Sequence, residues 1–230
     1  KKIFTLNEHM AKTMKIQNKY NAKLEIVPVW SSDNFFKKIH YNDNKFMQKY
    51  NFQDKFIVTY SGNLGKTHPV EKLIELANNL VNEKDILFLI IGEGDKKEKL
   101  LQQQRKLRLP NLKILDFQPT NLFPHVLDAT KLGVVTLETN AADLSVPSKT
   151  FDLMSAGKPI LSISSKSSEL ASIIKTNDIG ENFAEDEIEK MSNFILDIKN
   201  NLTKYDYIQK QSKNTILKFS PENAKKMILR

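Results

Sequence analysis

The chain has 230 residues, 40% of them hydrophobic, no cysteine, and a formal net charge of +8, which allows one large domain, or one domain with extensions, around a substantial core. The missing thiols exclude a disulfide scaffold, a thiolate zinc site and a cysteine nucleophile, and fit a reducing, cytoplasmic setting. No run approaches the roughly 18–20 apolar residues of a membrane span, the first residues do not read as a signal peptide, and basic side chains alternate with acidic ones, as in Asp95–Lys99 and Glu185–Lys190, which argues against a nucleic-acid partner while leaving an anionic membrane or a phosphate-bearing ligand open.

In chain order, a helix is expected near Glu8–Asn18 and a strand at Leu24–Val29, with a polar turn from Ser31. From about residue 55 short apolar runs alternate with amphipathic segments. Phe56–Tyr60 reads as a strand, and Tyr60-Ser-Gly-Asn-Leu-Gly-Lys-Thr-His-Pro69 follows it. In that turn Gly62 and Gly65 would let the backbone approach a ligand closely. Lys66 could set an ammonium against a phosphate, and Asn63 or Thr67 could hydrogen-bond it. The turn has neither Walker spacing nor the third glycine of a dinucleotide fingerprint, so an ordinary strand-to-helix connection stands beside the functional reading.

Val70–Asn82 is predicted as a helix with the stripe Val70, Leu73, Ile74, Ala77, Leu80 and Val81. Ile86–Ile91 is the next strand, and Asp95, after two glycines, is expected to cap a helix over Asp95–Leu107. Strand Leu112–Leu115 runs into Asp116-Phe-Gln-Pro119, where Phe117 reads either as a wall for a nucleobase or as a core residue. Helix Asn121–Ala129, strand Gly133–Leu137, helix Ser148–Ala156, strand Pro159–Ile163 and helix Ser167–Lys175 follow, and a last helix starts with Ser220 as cap and Pro221 at its first position. The strands lack alternation, as expected of strands buried on both faces. The pattern predicts an α/β, Rossmann-like parallel sheet with helices on both faces. Ligands of such sheets bind at strand carboxyl ends near a switch point.

The most informative stretch is Val146-Pro-Ser-Lys-Thr-Phe-Asp-Leu-Met-Ser-Ala-Gly-Lys-Pro-Ile160. Ser148 is placed to cap a helix that Gly157 and Pro159 end. The start of that helix offers free N–H groups that suit a phosphate. Lys149 stands in the first turn, where a cation is locally unfavourable, which implies an anionic partner. Asp152, one turn on, could accept hydrogen bonds from a sugar hydroxyl. A plain capped helix with a solvated Lys and Asp is the competing reading. His9, His40, His68 and His125 show no metal spacing and no Asp-x-Asp occurs, so no metal-bound diphosphate is indicated. Positive charge on a leaving diphosphate would then come from Lys or Arg side chains and helix ends.

Four of these stretches, in this order, resemble the C-terminal domain of group-one (family-four) glycosyltransferases. They are Tyr-Ser-Gly-Asn-Leu-Gly-Lys, Ile-Ile-Gly-Glu-Gly-Asp, Asn-Leu-Lys-Ile-Leu-Asp-Phe-Gln-Pro and the 146–160 segment. The match covers roughly residues 20–230 and is nearest the branch that makes bacterial surface polysaccharides and lipid-linked sugars. The resemblance implies one half of a GT-B fold: the half that binds a nucleotide-sugar donor, UDP-linked by family habit, for retaining hexosyl or N-acetylhexosaminyl transfer without an active-site metal or cofactor. It places Gly62, Asn63, Gly65 and Lys66 in the loop that meets the diphosphate. Phe117 and Gln118 fall at the base, Pro147, Ser148, Lys149 and Thr150 at the helix start near the diphosphate, and Asp152 at the ribose hydroxyls.

Lys66 and Lys149 are the catalytic candidates, and they are expected to converge on one pyrophosphate. Where many relatives carry Arg and a later Lys in the glycine-rich loop, Asn63 and His68 stand here. Of the family's paired glutamates, Leu144 holds the first place and Asp152 the second, with Asp143 or Glu138 as substitutes. Residues 1–30 resemble the end of an N-terminal acceptor domain with its connection. Residues 31–205 form the nucleotide-sugar domain, and 206–230 a helical extension. The implied partners are the nucleotide-sugar, the missing N-terminal domain and an anionic membrane touched peripherally at its inner face, with little transfer expected from this half alone. The alternative reading is a non-catalytic nucleotide-binding module, or one subunit of a two-protein transferase.

Overall fold

The computed structural model describes residues 2–17, 22–30, 39–66, 68–137 and 146–228. Its first element is a small unit in which β1 (Lys2–Thr5) and β2 (Lys23–Ile26) pair in parallel across α1 (Glu8–Gln17). The second and larger sheet holds β3 (Phe56–Ser61), β4 (Ile86–Ile91), β5 (Leu112–Leu115), β6 (Leu132–Thr136), β7 (Ile160–Ile163) and β8 (Gly180–Phe183). All six run parallel in the order β5-β4-β3-β6-β7-β8. The expected Rossmann-like α/β fold is what the chain adopts.

The apolar runs become the central strands because both faces of the sheet are covered. On one face Val58, Phe88, Ile90, Leu132 and Leu161 pack against α3 (Lys72–Asn79) through Leu73, Leu76 and Ala77, and against α8 (Ile188–Asn200) through Met191, Phe194 and Ile195. On the other, Ile57, Leu87 and Leu89 meet α2 (Lys45–Tyr50) and α5 (Phe123–Ala129), while Val135 and Ile160 meet α6 (Lys149–Ser155) and α7 (Glu169–Thr176). Burying such side chains contributes about 1.5–3 kcal/mol each, which outweighs weak local preferences. That explains β8: Gly-Glu-Asn-Phe carries no strand signature, yet it pairs with β7 over its whole length. Helix α2 was also missed, though Asn44 caps it through Oδ1 to the N–H groups of Phe46 and Met47.

Two predicted caps are corrected. Asp95 does not cap the helix that follows β4; α4 (Lys97–Leu107) begins after Lys96 with no side-chain cap. Backbone carbonyls take over, since Lys96 N–H donates to Leu64 and Lys97 N–H to Gly94. Ser148 likewise has helical angles (φ −57, ψ −32) and no cap bond, because a turn closed by Thr150 N–H on the Pro147 carbonyl occupies that end. By contrast Ser168 caps α7 through a bond from Ala171 N–H. Asn201, in a formal glycosylation sequon, caps α9 (Leu202–Ile216) through Lys204 N–H. The expected boundary at residue 205 falls inside α9, whose Ile208 joins the core beneath the sheet. α10 (Glu222–Ile228) closes the described chain, with Asn223 N–H on the Ser220 carbonyl.

Candidate functional site

The chain order reverses between β3 and β6, the two central strands, and these pair only at Val58–Leu132 and Thr59–Gly133. Beyond that point their carboxyl ends diverge. The backbone groups released by the divergence find other partners: His68 Nδ1 donates to the Thr136 carbonyl at 3.0 Å. Between the splayed ends lies a cavity of about 530 Å³, within the usual size of a small-molecule site. Thr59, Ser61, Gly62 and Asn63 line it from β3 and its turn, Phe117 and Gln118 from the turn after β5, and Pro147, Ser148, Lys149 and Asp152 from the start of α6.

The glycine-rich turns are shaped by each other. Gly62 sits at φ +155, and a Cβ there would lie 2.6 Å from Lys149 Nζ. A Cβ on Gly92 would lie 1.9 Å from the Gly62 carbonyl oxygen. The turn after β4 therefore needs glycine to admit the turn after β3, and Gly62 N–H on Ile91 and Leu64 N–H on Glu93 extend the strand ladder through both. Lys97 then ties the turn after β4 to that after β5, bonding Glu93 at 2.6 Å and also Asp116. Those two carboxylates, Asp116 first, hold the Lys97 ammonium above its ordinary pKa. Tyr50 O–H donates to Gln118 Oε1 and Gln118 Nε2 to the Asp116 carbonyl, so the Gln118 amide is tied at both ends. Phe117 beside it is 53% exposed. It is not the core residue that one reading allowed, and it lines the cavity.

Lys149 dominates the electrostatics. Its Nζ is buried with no hydrogen-bond partner among the described residues and lies 3.9 Å from the centroid of the Tyr60 ring. Burial lowers its pKa to about 8. Burial also raises the Asp152 carboxyl above its ordinary value, so neither group neutralises the other. A desolvated cation facing a cavity is what an anionic ligand would complete. The dipole of α6 adds little, because the helix is only seven residues long. Among the described residues no group of three or more His, Asp or Glu is placed to hold a metal ion.

Compared with known proteins, residues 42–215 match the model of the family described as glycosyl transferases group 1. The chain belongs to that family. It is 31% identical over 125 residues to WcaI of Escherichia coli (strain K12), which is named for colanic acid biosynthesis. It is 25% identical over 181 residues to WbjE of Pseudomonas aeruginosa, named a glycosyltransferase. These matches take in 54% and 79% of this chain but only 30% and 45% of the two proteins, so the chain spans less than half of either relative. The crystal structure of Anabaena Alr3699/HepE with UDP-glucose superposes with a TM-score of 0.79 at 17% identity, over 99% of this chain and 63% of that one. This likeness assigns the Rossmann-like half of a GT-B fold.

The group 1 residues predicted for the site divide into those that share the cavity and those that do not. Gly62, Asn63, Phe117, Gln118, Pro147, Ser148, Lys149 and Asp152 line it together. Lys66 is exposed on the turn and does not line it, Gly65 does not line it either, and the Thr150 hydroxyl is buried without a partner among the described residues, outside the lining. Asp143, Glu138, Leu144 and Thr67 lie outside the described residues. Thr59, Ser61 and His68 also line the cavity without being expected there, and Tyr60 adds its ring against Lys149; nothing in a sequence pairs positions as far apart as 60 and 149.

Proposed function

We propose that this chain is the donor-binding half of a retaining, metal-independent glycosyltransferase that serves bacterial surface polysaccharide or lipid-linked sugar synthesis. The observation that carries it is the buried ammonium of Lys149, which has no partner among the described residues and is held at the switch-point cavity. A nucleoside diphosphate supplies the missing anion: its phosphates meet Lys149 beside Gly62, its ribose hydroxyls meet Asp152, and its base stacks at Phe117. In transfer of a hexosyl or N-acetylhexosaminyl group, Lys149 stabilises the charge that develops on the departing diphosphate. Lys66, solvent-facing on the adjoining turn, is a second and weaker cation. Acceptor contacts come from a further domain, so this half alone transfers little, working in the cytoplasm beside an anionic membrane.

Calorimetry with UDP, GDP and ADP tests the reading. Binding of at least one, unaffected by EDTA, weakened about tenfold or more by Lys149→Ala and less by Lys66→Ala, is expected. Binding by Lys149→Ala equal to wild type refutes it. The chain's span of under half of its curated relatives keeps a second reading in play, a nucleotide-binding module or subunit of a two-protein transferase. Turnover measured with and without an N-terminal partner separates the two.

A further inference from the structure

Among the described residues Lys149 has no ion-pair partner; its ammonium is held by an aromatic face. Tyr60 is fully buried on β3, with the Lys149 Nζ 3.9 Å from its ring centroid. The Tyr60 hydroxyl donates to the Asn63 carbonyl at 2.7 Å and so spans the turn that Gly62 opens. The same Gly62 leaves the space the Lys149 ammonium occupies, since a Cβ would stand 2.6 Å from Nζ. One side chain thereby touches both the cation, through its ring, and the turn, through its hydroxyl. The other titratable groups lining the cavity are Asp152 from α6 and His68 from the turn before α3. The His68 ring centroid stands 6.4 Å from that of Tyr60.

We infer that Tyr60 is the positioning residue of the anion site, holding the Lys149 ammonium in the cavity by its ring face while leaving its charge free for a phosphate. This deepens, and rests on, the reading of the cavity as a nucleotide-sugar site. The physical logic is one of competition. A carboxylate in this place would hold the ammonium through an ion pair that a ligand phosphate must then break. A ring quadrupole attracts the cation without neutralising it, so the ammonium keeps its charge for a ligand phosphate.

Two measurements test the assignment on the full chain. By NMR of lysine-labelled protein without nucleotide, the Lys149 side-chain methylene signal, identified by its loss in Lys149→Ala, should lie upfield of the other lysines through the ring current. Tyr60→Phe should keep it there and Tyr60→Leu should return it to the bulk. By calorimetry, Tyr60→Leu should bind UDP about tenfold more weakly, within the range of a desolvated cation–π contact, and Tyr60→Phe within about threefold of wild type. In a Lys149→Ala background, Tyr60→Leu should cause no further loss. A wild-type Lys149 signal among the bulk lysines, or an equal loss from Tyr60→Leu with and without Lys149, overturns the positioning role. The wild-type spectrum decides this even if Tyr60→Leu does not fold. An upfield signal in a chain that binds no nucleoside diphosphate upholds the positioning and refutes the donor site instead.

Discussion

Replacing Lys149 with methionine should stabilise the fold while abolishing its anion site. Burial lowers the ammonium from 10.5 to about 8, and at about 1.4 kcal/mol per tenfold this is a desolvation cost of roughly 3 kcal/mol. The Tyr60 ring returns about 1–2 kcal/mol of it. Methionine keeps the length of the side chain and removes the charge, so Lys149→Met should gain about 1–2 kcal/mol at pH 7. For a chain of this size that is a rise in Tm of about 2–8 °C. The sign with pH follows from linkage. Below pH 8 both folded and unfolded chains carry the proton and the penalty is full. Between about 8 and 10.5 the unfolded chain binds more protons than the folded one, so the wild type gains stability as pH rises. The advantage of Lys149→Met should therefore shrink across that window and be lost before its upper end. Thermal unfolding of both proteins from pH 6.5 to 10.5, with UDP binding measured alongside, tests this. A variant that is less stable than wild type at pH 7, or an advantage constant with pH, would show that the ammonium is not held desolvated and unpaired.

Other perturbations separate local from distributed effects. Gly62→Ala should weaken UDP binding at least tenfold, since its Cβ would displace the Lys149 ammonium, and should lower stability by about 1–3 kcal/mol through the positive φ; calorimetry and chemical denaturation read the two effects. Gly92→Ala sets a Cβ against the Gly62 backbone, where no rotamer relieves the overlap, so the soluble folded yield should collapse relative to Gly62→Ala. Phe117→Ala removes a side chain 53% exposed. Its Tm should stay close to that of wild type, within about 0.5 kcal/mol of stability, while affinity for a nucleoside diphosphate falls about fivefold or more; a loss of stability without a loss of affinity would return Phe117 to the core. Asp152→Asn removes a carboxyl whose pKa burial raises, so it should stabilise the fold at pH 7 and lose that advantage as pH falls through the carboxyl's pKa, read by melts between pH 4 and 7.

The unbroken apolar runs at 56–60, 86–91 and 133–137 announced buried parallel strands, because only strands covered on both faces dispense with polar alternation. The glycines and prolines around 62–69 and 157–159 marked the turns, and the order of four loose motifs pointed to the family. Hydrophobic period and backbone restriction are carried by neighbours in the chain, and they can be read without coordinates. Signals that depend on competition between neighbours were less legible. Asp95 and Ser148 have capping chemistry, but carbonyls from other turns, and Pro147, reached those N–H groups first. β8 has no strand signature and exists because β7 offers it a full ladder.

The site itself was decided by the tertiary structure. Sequence placed Lys149 in a helical first turn and inferred an anionic partner from a local clash with the dipole, yet it had no means of seeing that Tyr60 would carry the ammonium or that Gly62 would make room for it. It weighted Lys66 equally, and packing left that side chain in solvent, off the cavity. Chain-local physics settled the fold class, the central strands and the glycine and proline turns of this protein. Which of its charges lost their water was settled by the splay of β3 from β6, since desolvation is a property of three-dimensional enclosure and leaves no mark on the order of residues.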